Sequence, residues 1–357
     1  MSRFLSTRFA GLEAYTPGEQ PQDMQYIKLN TNESPYPPSP EVFAACNAEQ
    51  VSKLQLYPDP EGKRLRQKLA TLYGVEMENV FLSNGSDDIL NFAFMAFCDQ
   101  THGAYFPEIS YGFYPVYADL YQVPATQIPL QEDFTIQYTD FCQKDGMVVI
   151  ANPNAPTGLE LAQEEIEQII KSNPDHVVVI DEAYVDFGGT SCIPLVKKYD
   201  NLLVVQTFSK SRSMAGARLG FAIASKDIIE DLNKIKYSTN PYNINRLTLV
   251  IGEAAIDSND YYMENCQKIA QTRTKTIEAL RAMGFTVLDS VANFIFAKTN
   301  QMDGEALYTG LKKKGVLVRH FNKEKIQDYV RITIGTEEQM EIFLQKVKEL
   351  LQEEGKA

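Results

Sequence analysis

The sequence predicts an α/β fold in two parts: a large domain on a mostly parallel central sheet, and a smaller α+β C-terminal domain. Three observations lead there. Met147-Val148-Val149-Ile150, Val177-Val178-Val179-Ile180 and Leu202-Leu203-Val204-Val205 are unbroken apolar runs, as expected of strands covered on both faces, where a half-exposed strand would alternate. Between the first two, Leu161, Glu165, Ile166, Ile169 and Ile170 fall at helical spacing until Asn173-Pro174-Asp175 stops the helix, which gives β-α-β alternation. Beyond about Asn240 the pattern changes to long helical stretches followed by short strands.

Taken in order, residues 1–30, with Pro17, Gly18 and Pro21, read as an arm. Residues 31–245 form the large domain, in which Val80-Phe81-Leu82 leads into a helical run over 89–97 and the three apolar runs follow. Residues 246–357 form the small domain, packed with the arm. It holds helices over 246–283, strands around 285–288, 294–297, 316–318 and 330–334, and a terminal helix over 337–351. No internal repeat or low-complexity tract interrupts this order.

At 357 residues, 44% hydrophobic and 23% charged, the chain can bury a sizeable core and fits two domains. A net charge of -13 argues against nucleic acid or anionic membrane as partners, although a local basic pocket can still hold a small anion. Cys46, Cys98, Cys142, Cys192 and Cys266 are odd in number and contain no CxxC pair. They suit free thiols in a reducing compartment better than disulfides or a thiolate zinc site. Met1-Ser2-Arg3-Phe4-Leu5 has no apolar signal segment, and no apolar run approaches ~18 residues, so a cytoplasmic protein is expected. Asn32-Glu33-Ser34 and Asn84-Gly85-Ser86 then match the glycosylation pattern by chance. With three histidines (His102, His176 and His320) and no HExxH, no metal site is expected.

In a sheet of this kind, ligands bind beyond the carboxyl ends of the strands. After the first strand comes Ser83-Asn84-Gly85-Ser86-Asp87-Asp88. Gly85 permits close backbone approach, and a helix start with free N–H groups suits phosphate; taken alone, it is also a plain capped helix. Neither a P-loop nor a GxGxxG occurs. After 147–150 comes the rigid turn Asn152-Pro153-Asn154-Ala155-Pro156-Thr157-Gly158, structural or ligand-binding. After 177–180 comes Asp181-Glu182-Ala183-Tyr184. A carboxylate at a buried strand end is costly unless it meets a cation or donors; a protonated ring nitrogen would serve, as would a helix start or a metal. After 202–205, Lys210 sits among Thr207, Ser209 and Arg218, all able to bind phosphate. Burial frees a lysine amine to attack an aldehyde. A surface lysine in a basic loop is the ordinary alternative, but it leaves the flanking hydroxyls and Arg218 unexplained.

The segment from Thr207-Phe208-Ser209-Lys210 to Ala217-Arg218-Leu219-Gly220 resembles the lysine motif of the fold-type I pyridoxal-phosphate (PLP) aminotransferases. Asp181-Glu182-Ala183-Tyr184, Pro156-Thr157-Gly158 and Asn84-Gly85-Ser86 occur in that family's order. Within the family the chain most resembles the branch that transaminates histidinol phosphate, from about Gly11 to Glu349. The resemblance implies PLP bound to Lys210, which also shuttles the proton at the substrate α-carbon. It implies Asp181 on the ring nitrogen, Tyr184 on the ring 3-hydroxyl and Tyr111 stacked on the ring. Gly85, Ser86, Asp87, Thr207, Ser209 and Arg218 would hold the phosphate. Tyr57 would reach the cofactor of a partner subunit, implying a homodimer. The family's asparagine before Pro-Thr-Gly is replaced by Ala155, which leaves its ring contact to Asn154 or to Tyr184 alone.

Arg331, in Tyr329-Val330-Arg331-Ile332, resembles the family's carboxylate-binding arginine, with Arg319 a second anion-binding group. Tyr15, Asn32 and Tyr242 match further substrate-side positions. The implied substrates are glutamate with 2-oxoglutarate, and histidinol phosphate with imidazole-acetol phosphate. A broad aromatic aminotransferase and a threonine-phosphate decarboxylase-like lyase are the alternatives. A ligand-sensing regulator would need a DNA-binding region, for which the first thirty residues are neither long nor basic enough.

Overall fold

A computed structural model describes residues 2–354. Its strands are β1 (Ile27–Lys28), β2 (Val80–Ser83), β3 (Gly103–Pro107), β4 (Ala125–Ile128), β5 (Gly146–Ala151), β6 (Val178–Asp181), β7 (Leu202–Thr207), β8 (Gly220–Ala224), β9 (Phe285–Val287), β10 (Phe294–Thr299), β11 (Val316–Leu317), β12 (Arg319–His320) and β13 (Val330–Thr333).

Seven strands form the large sheet in the order β2-β8-β7-β6-β5-β3-β4. The four pairings from β7 to β4 are parallel, and only β8 runs against its neighbours. The apolar runs of the sequence are β5, β6 and β7, buried throughout. Successive side chains of a strand face opposite ways. Val148, Ile150, Val178, Ile180, Leu202 and Val204 therefore enter the core on one face, while Met147, Val149, Val179, Leu203 and Val205 enter that on the other. Each fully buried aliphatic side chain is worth about 1.5–3 kcal/mol, so covering both faces is what holds this sheet. Three strands lacked that signature. β4 is an edge strand with three exposed side chains, β3 begins with glycine and ends with proline, and three of the five residues of β8 are glycine or alanine.

The helical stretch over 246–283 is two helices, Arg246–Asp257 and Asn259–Ala282. Leu249, Ala255 and Ile256 of the first join the core of the large sheet. Ile269 and Leu280 of the second join a separate core with Phe294, Ile332 and Phe343, over an antiparallel sheet ordered β12-β13-β10-β9. The strand expected around 316–318 serves two sheets: β11 pairs in parallel with β1 from the N-terminal arm, and β12 pairs with β13. The arm is thereby stitched to the C-terminal part, with Leu29 in its core. Among the described residues no helix is long and apolar enough to cross a membrane.

Candidate active site

β6 and β7 lie side by side, with Asp181 opposite Val205. Strand parity decides between Asp181, which ends β6, and Glu182, which follows it. Glu182 turns into the interior, where its carboxylate accepts from Ser191 Oγ (2.7 Å), the Cys192 N–H (2.5 Å) and Gln206 Nε2 (2.8 Å), and burial pushes its pKa up to about 7. Asp181 turns into a pocket of about 150 Å³ at the strand ends. It accepts from the Tyr114 hydroxyl at 2.9 Å and the Ala183 N–H at 3.3 Å. Burial raises its pKa to about 6; the Tyr114 hydroxyl opposes the shift and the charge of Asp87 adds to it. No lysine or arginine among the described residues forms an ion pair with Asp181. A buried, cation-poor carboxylate fits a protonated ring nitrogen, because a cationic donor would offset the desolvation that its two neutral donors leave.

The same pocket has an anion cradle at its other end. The helix Ser86–Phe97 begins there with Gly85 as its cap residue, at φ +88°. A Cβ on Gly85 would stand 2.7 Å from Arg218 Nη2, and one on Gly220 would stand 2.4 Å from the Gly85 carbonyl carbon. Both positions therefore need glycine for β8 and Arg218 to close on the helix start. Thr207 donates to Ser209 Oγ at 3.0 Å, and Arg218 Nη1 lies 3.4 Å from the same oxygen. Arg218 Nη2 also pairs with Asp87 at 2.9 Å, and Asp87 accepts from Tyr111 at 2.6 Å. Helix N–H groups, two hydroxyls and a guanidinium converging in one pocket fit a phosphate.

Lys210 lies in the wall common to this pocket and to a second, outer cleft of about 320 Å³. It is partly buried, and its Nζ donates to the Thr31 carbonyl at 3.2 Å and lies 5.7 Å from the Tyr184 ring centre. The Tyr184 hydroxyl accepts from Asn32 Nδ2 at 3.0 Å. Asn32, in a left-handed conformation, is held through its N–H and its Oδ1 by Thr333 Oγ1 of β13. Asn154 is not brought into either space. Its amide accepts from Ser110 and donates to Ile109 O and Thr157 Oγ1, and Ala155 lines both pockets in its place. The asparagine braces the turn and has no free donor to offer a ligand.

Arg319 and Arg331 face each other across β12 and β13. Neither meets a carboxylate within ion-pair distance among the described residues; they donate to the carbonyls of Thr16, Pro17 and Asn30. The Arg331 Nε is buried with no partner among the described residues, its charge set against Phe294 and Phe321, and this desolvation lowers its pKa. Two like charges in cross-strand register are unfavourable until an anion joins them. Tyr15 stacks on Phe113 with centroids 4.2 Å apart and closes the outer cleft over these arginines. Tyr57 and Tyr242 stand elsewhere: they stack on each other at 4.5 Å, Tyr57 is 78% exposed, and neither lines either pocket. Tyr114 and the Thr31 carbonyl are site groups the sequence reading passed over. Tyr114 was within reach: it stands three residues after Tyr111, in the first turn of the helix Phe113–Tyr121 that follows it.

The chain belongs to the class I and II aminotransferases, whose family model matches residues 24–347. It is 51% identical over 352 residues to the histidinol-phosphate aminotransferase of Brachyspira hyodysenteriae, covering 98% of this chain and 99% of that protein. The crystal structure of the histidinol-phosphate aminotransferase from Clostridium acetobutylicum superposes with a TM-score of 0.84 at 25% identity, over 92% of this chain and 99% of that one. The Sinorhizobium meliloti histidinol-phosphate aminotransferase, solved with pyridoxal-5'-phosphate, shares the fold at a TM-score of 0.84 and 21% identity, over 92% of each chain.

Proposed function

We propose that the chain is a PLP-dependent histidinol-phosphate:2-oxoglutarate aminotransferase of histidine biosynthesis. The observation that carries this reading is Lys210, placed between a phosphate cradle with a buried carboxylate on one side and two arginines without carboxylate partners on the other. When bound, PLP supplies an aldehyde and a ring that accepts negative charge from the substrate α-carbon. Asp181 keeps the ring nitrogen protonated, and Tyr114 orients Asp181. Tyr184, held by Asn32, addresses the ring 3-oxygen without help from Asn154, and Tyr111 covers a ring face. The Gly85, Ser86 and Asp87 backbone, Thr207, Ser209 and Arg218 bind the phosphate; Arg218 has N–H groups beyond the one given to Asp87. Lys210 moves a proton at the substrate α-carbon. Arg331 takes the α-carboxylate of glutamate or the phosphate ester of histidinol phosphate, with Arg319 and Tyr15 beside it.

The family's homodimer is proposed for this chain too. Tyr57, with Tyr242 stacked on it, would cross to the partner's site; Phe43, Val51, Leu54 and Leu56 in the same stretch are exposed apolar groups suited to an interface. The proposed division is an arm over 1–30, a large domain over 31–245 and a small domain over 246–357, the helix Arg246–Asp257 leaning back on the large sheet. Cytoplasmic location is part of the same proposal.

The test is spectroscopic. Glutamate should bleach the visible band of the PLP-loaded protein and release 2-oxoglutarate, and imidazole-acetol phosphate should restore the band. Equal rates with phenylpyruvate would replace this reading with a broad aromatic enzyme, and carbon dioxide release from threonine phosphate would replace it with a lyase. Arg331→Lys keeps the charge but loses the planar fork, so KM for glutamate and for imidazole-acetol phosphate should rise by about 30- to 100-fold, with a smaller change in kcat. Steady-state kinetics on both substrates check this.

A further inference from the structure

Two of the chain's three histidines meet at one carboxylate, at the end of the large sheet away from the active site. His102 immediately precedes β3, Asp145 immediately precedes β5, and His176 stands two residues before β6. These three strands are consecutive neighbours in the sheet, so their starts place the three side chains together. Asp181 closes the far end of β6, which puts the cluster at the opposite edge of the strands that carry the catalytic groups. His102 Nδ1 is 3.0 Å and His176 Nε2 3.3 Å from Asp145 Oδ1, and the three donor atoms lie within 4.8 Å of one another.

We propose that His102, Asp145 and His176 form a site for a divalent transition-metal ion of the zinc class. Imidazole nitrogen and carboxylate oxygen bind zinc at about 2.0–2.2 Å, so two ligands of one tetrahedral ion stand roughly 3.3 Å apart. The two contacts to Asp145 are already near that spacing. Two imidazoles and one carboxylate suit zinc, nickel or copper, and leave a coordination position for water. The backbone around each ligand is braced. The Asp99 carboxylate accepts from the Thr101 and His102 N–H groups, the His176 N–H donates to Asn173 O, and the Lys144 N–H donates to Asn173 Oδ1. Among the described residues no lysine or arginine pairs with Asp145, and Asp99 and Asp175 line the same depression. The local field is therefore negative and a cation is welcome there. All three side chains reach solvent, so an ion needs no opening of the fold. Bound metal would clamp the starts of three central strands and raise the melting temperature by mass action.

The experiment titrates zinc into PLP-loaded protein freed of excess cofactor, against a chromogenic chelator, with His176→Gln, Asp145→Asn and Cys98→Ser in parallel. One equivalent should bind the wild type and Cys98→Ser alike, weaken by at least about ten-fold in His176→Gln and Asp145→Asn, and raise the wild-type Tm. Transaminase kinetics should be the same in all four proteins. Zinc that binds His176→Gln as tightly as the wild type, that is lost in Cys98→Ser, or that does not bind at all would overturn the proposal.

Discussion

Lys210→Ala is expected to lower kcat by about 10⁴-fold or more while the protein folds normally and still takes up PLP without a covalent bond. The loss is large because, among the described residues, no second amine lines the inner pocket. Lys323 lines only the outer cleft, whereas Lys210 lines both. The cradle of Gly85, Ser86, Thr207, Ser209 and Arg218 does not depend on the lysine, so cofactor affinity should fall far less than rate. A small added amine such as methylamine should recover part of the activity of Lys210→Ala, which it could not do for a misfolded protein. Turnover near the wild-type rate in this variant would remove the central role given to the residue.

Asp181→Asn should lower kcat by about 10³-fold, since an amide no longer favours the protonated ring nitrogen. It should have the opposite effect on stability. In the cofactor-free protein the Asp181 pKa is raised by burial from 3.8 to about 6, so the native state holds an extra proton between those values. That favourable contribution is complete below pH 3.8 and is lost as the pH rises through about 6. Above this window a buried charge stands without a cation. Cofactor-free Asp181→Asn should then melt about 2–4 °C higher than the wild type at pH 8, and the gap should narrow as the pH falls below about 6. Paired melting curves and rate measurements check both halves. Equal activity, or a less stable variant at pH 8, would count against a carboxylate strained for cofactor binding.

Much of this site was legible because buried parallel strands announce themselves. Unbroken Val/Ile runs locate β5, β6 and β7, and the residues just beyond them are where ligands meet such a sheet. Asp181, Lys210 and the Ser86 helix start follow from that rule, and the family resemblance supplied their roles. Asn154 could not be judged in the same way. It sits one residue from Ala155 in a turn, where strand parity gives no direction, and the structure spends its amide on Ser110, Ile109 and Thr157. Long-range partners were equally silent: nothing local to Asn32 points to Thr333, and nothing in the spacing of Arg319 and Arg331 says that a hairpin sets them opposite each other. The His102–Asp145–His176 cluster was passed over for the same reason, because its ligands come from three strand starts rather than one motif.

A covalent linkage between the Lys210 amine and PLP is the step on which catalysis here depends. Borohydride reduction of the loaded protein, followed by peptide mass spectrometry, should place a phosphopyridoxyl group on the peptide carrying Ser209-Lys210-Ser211 and nowhere else. A reduced protein with no such adduct, or with the group on another lysine, would contradict it.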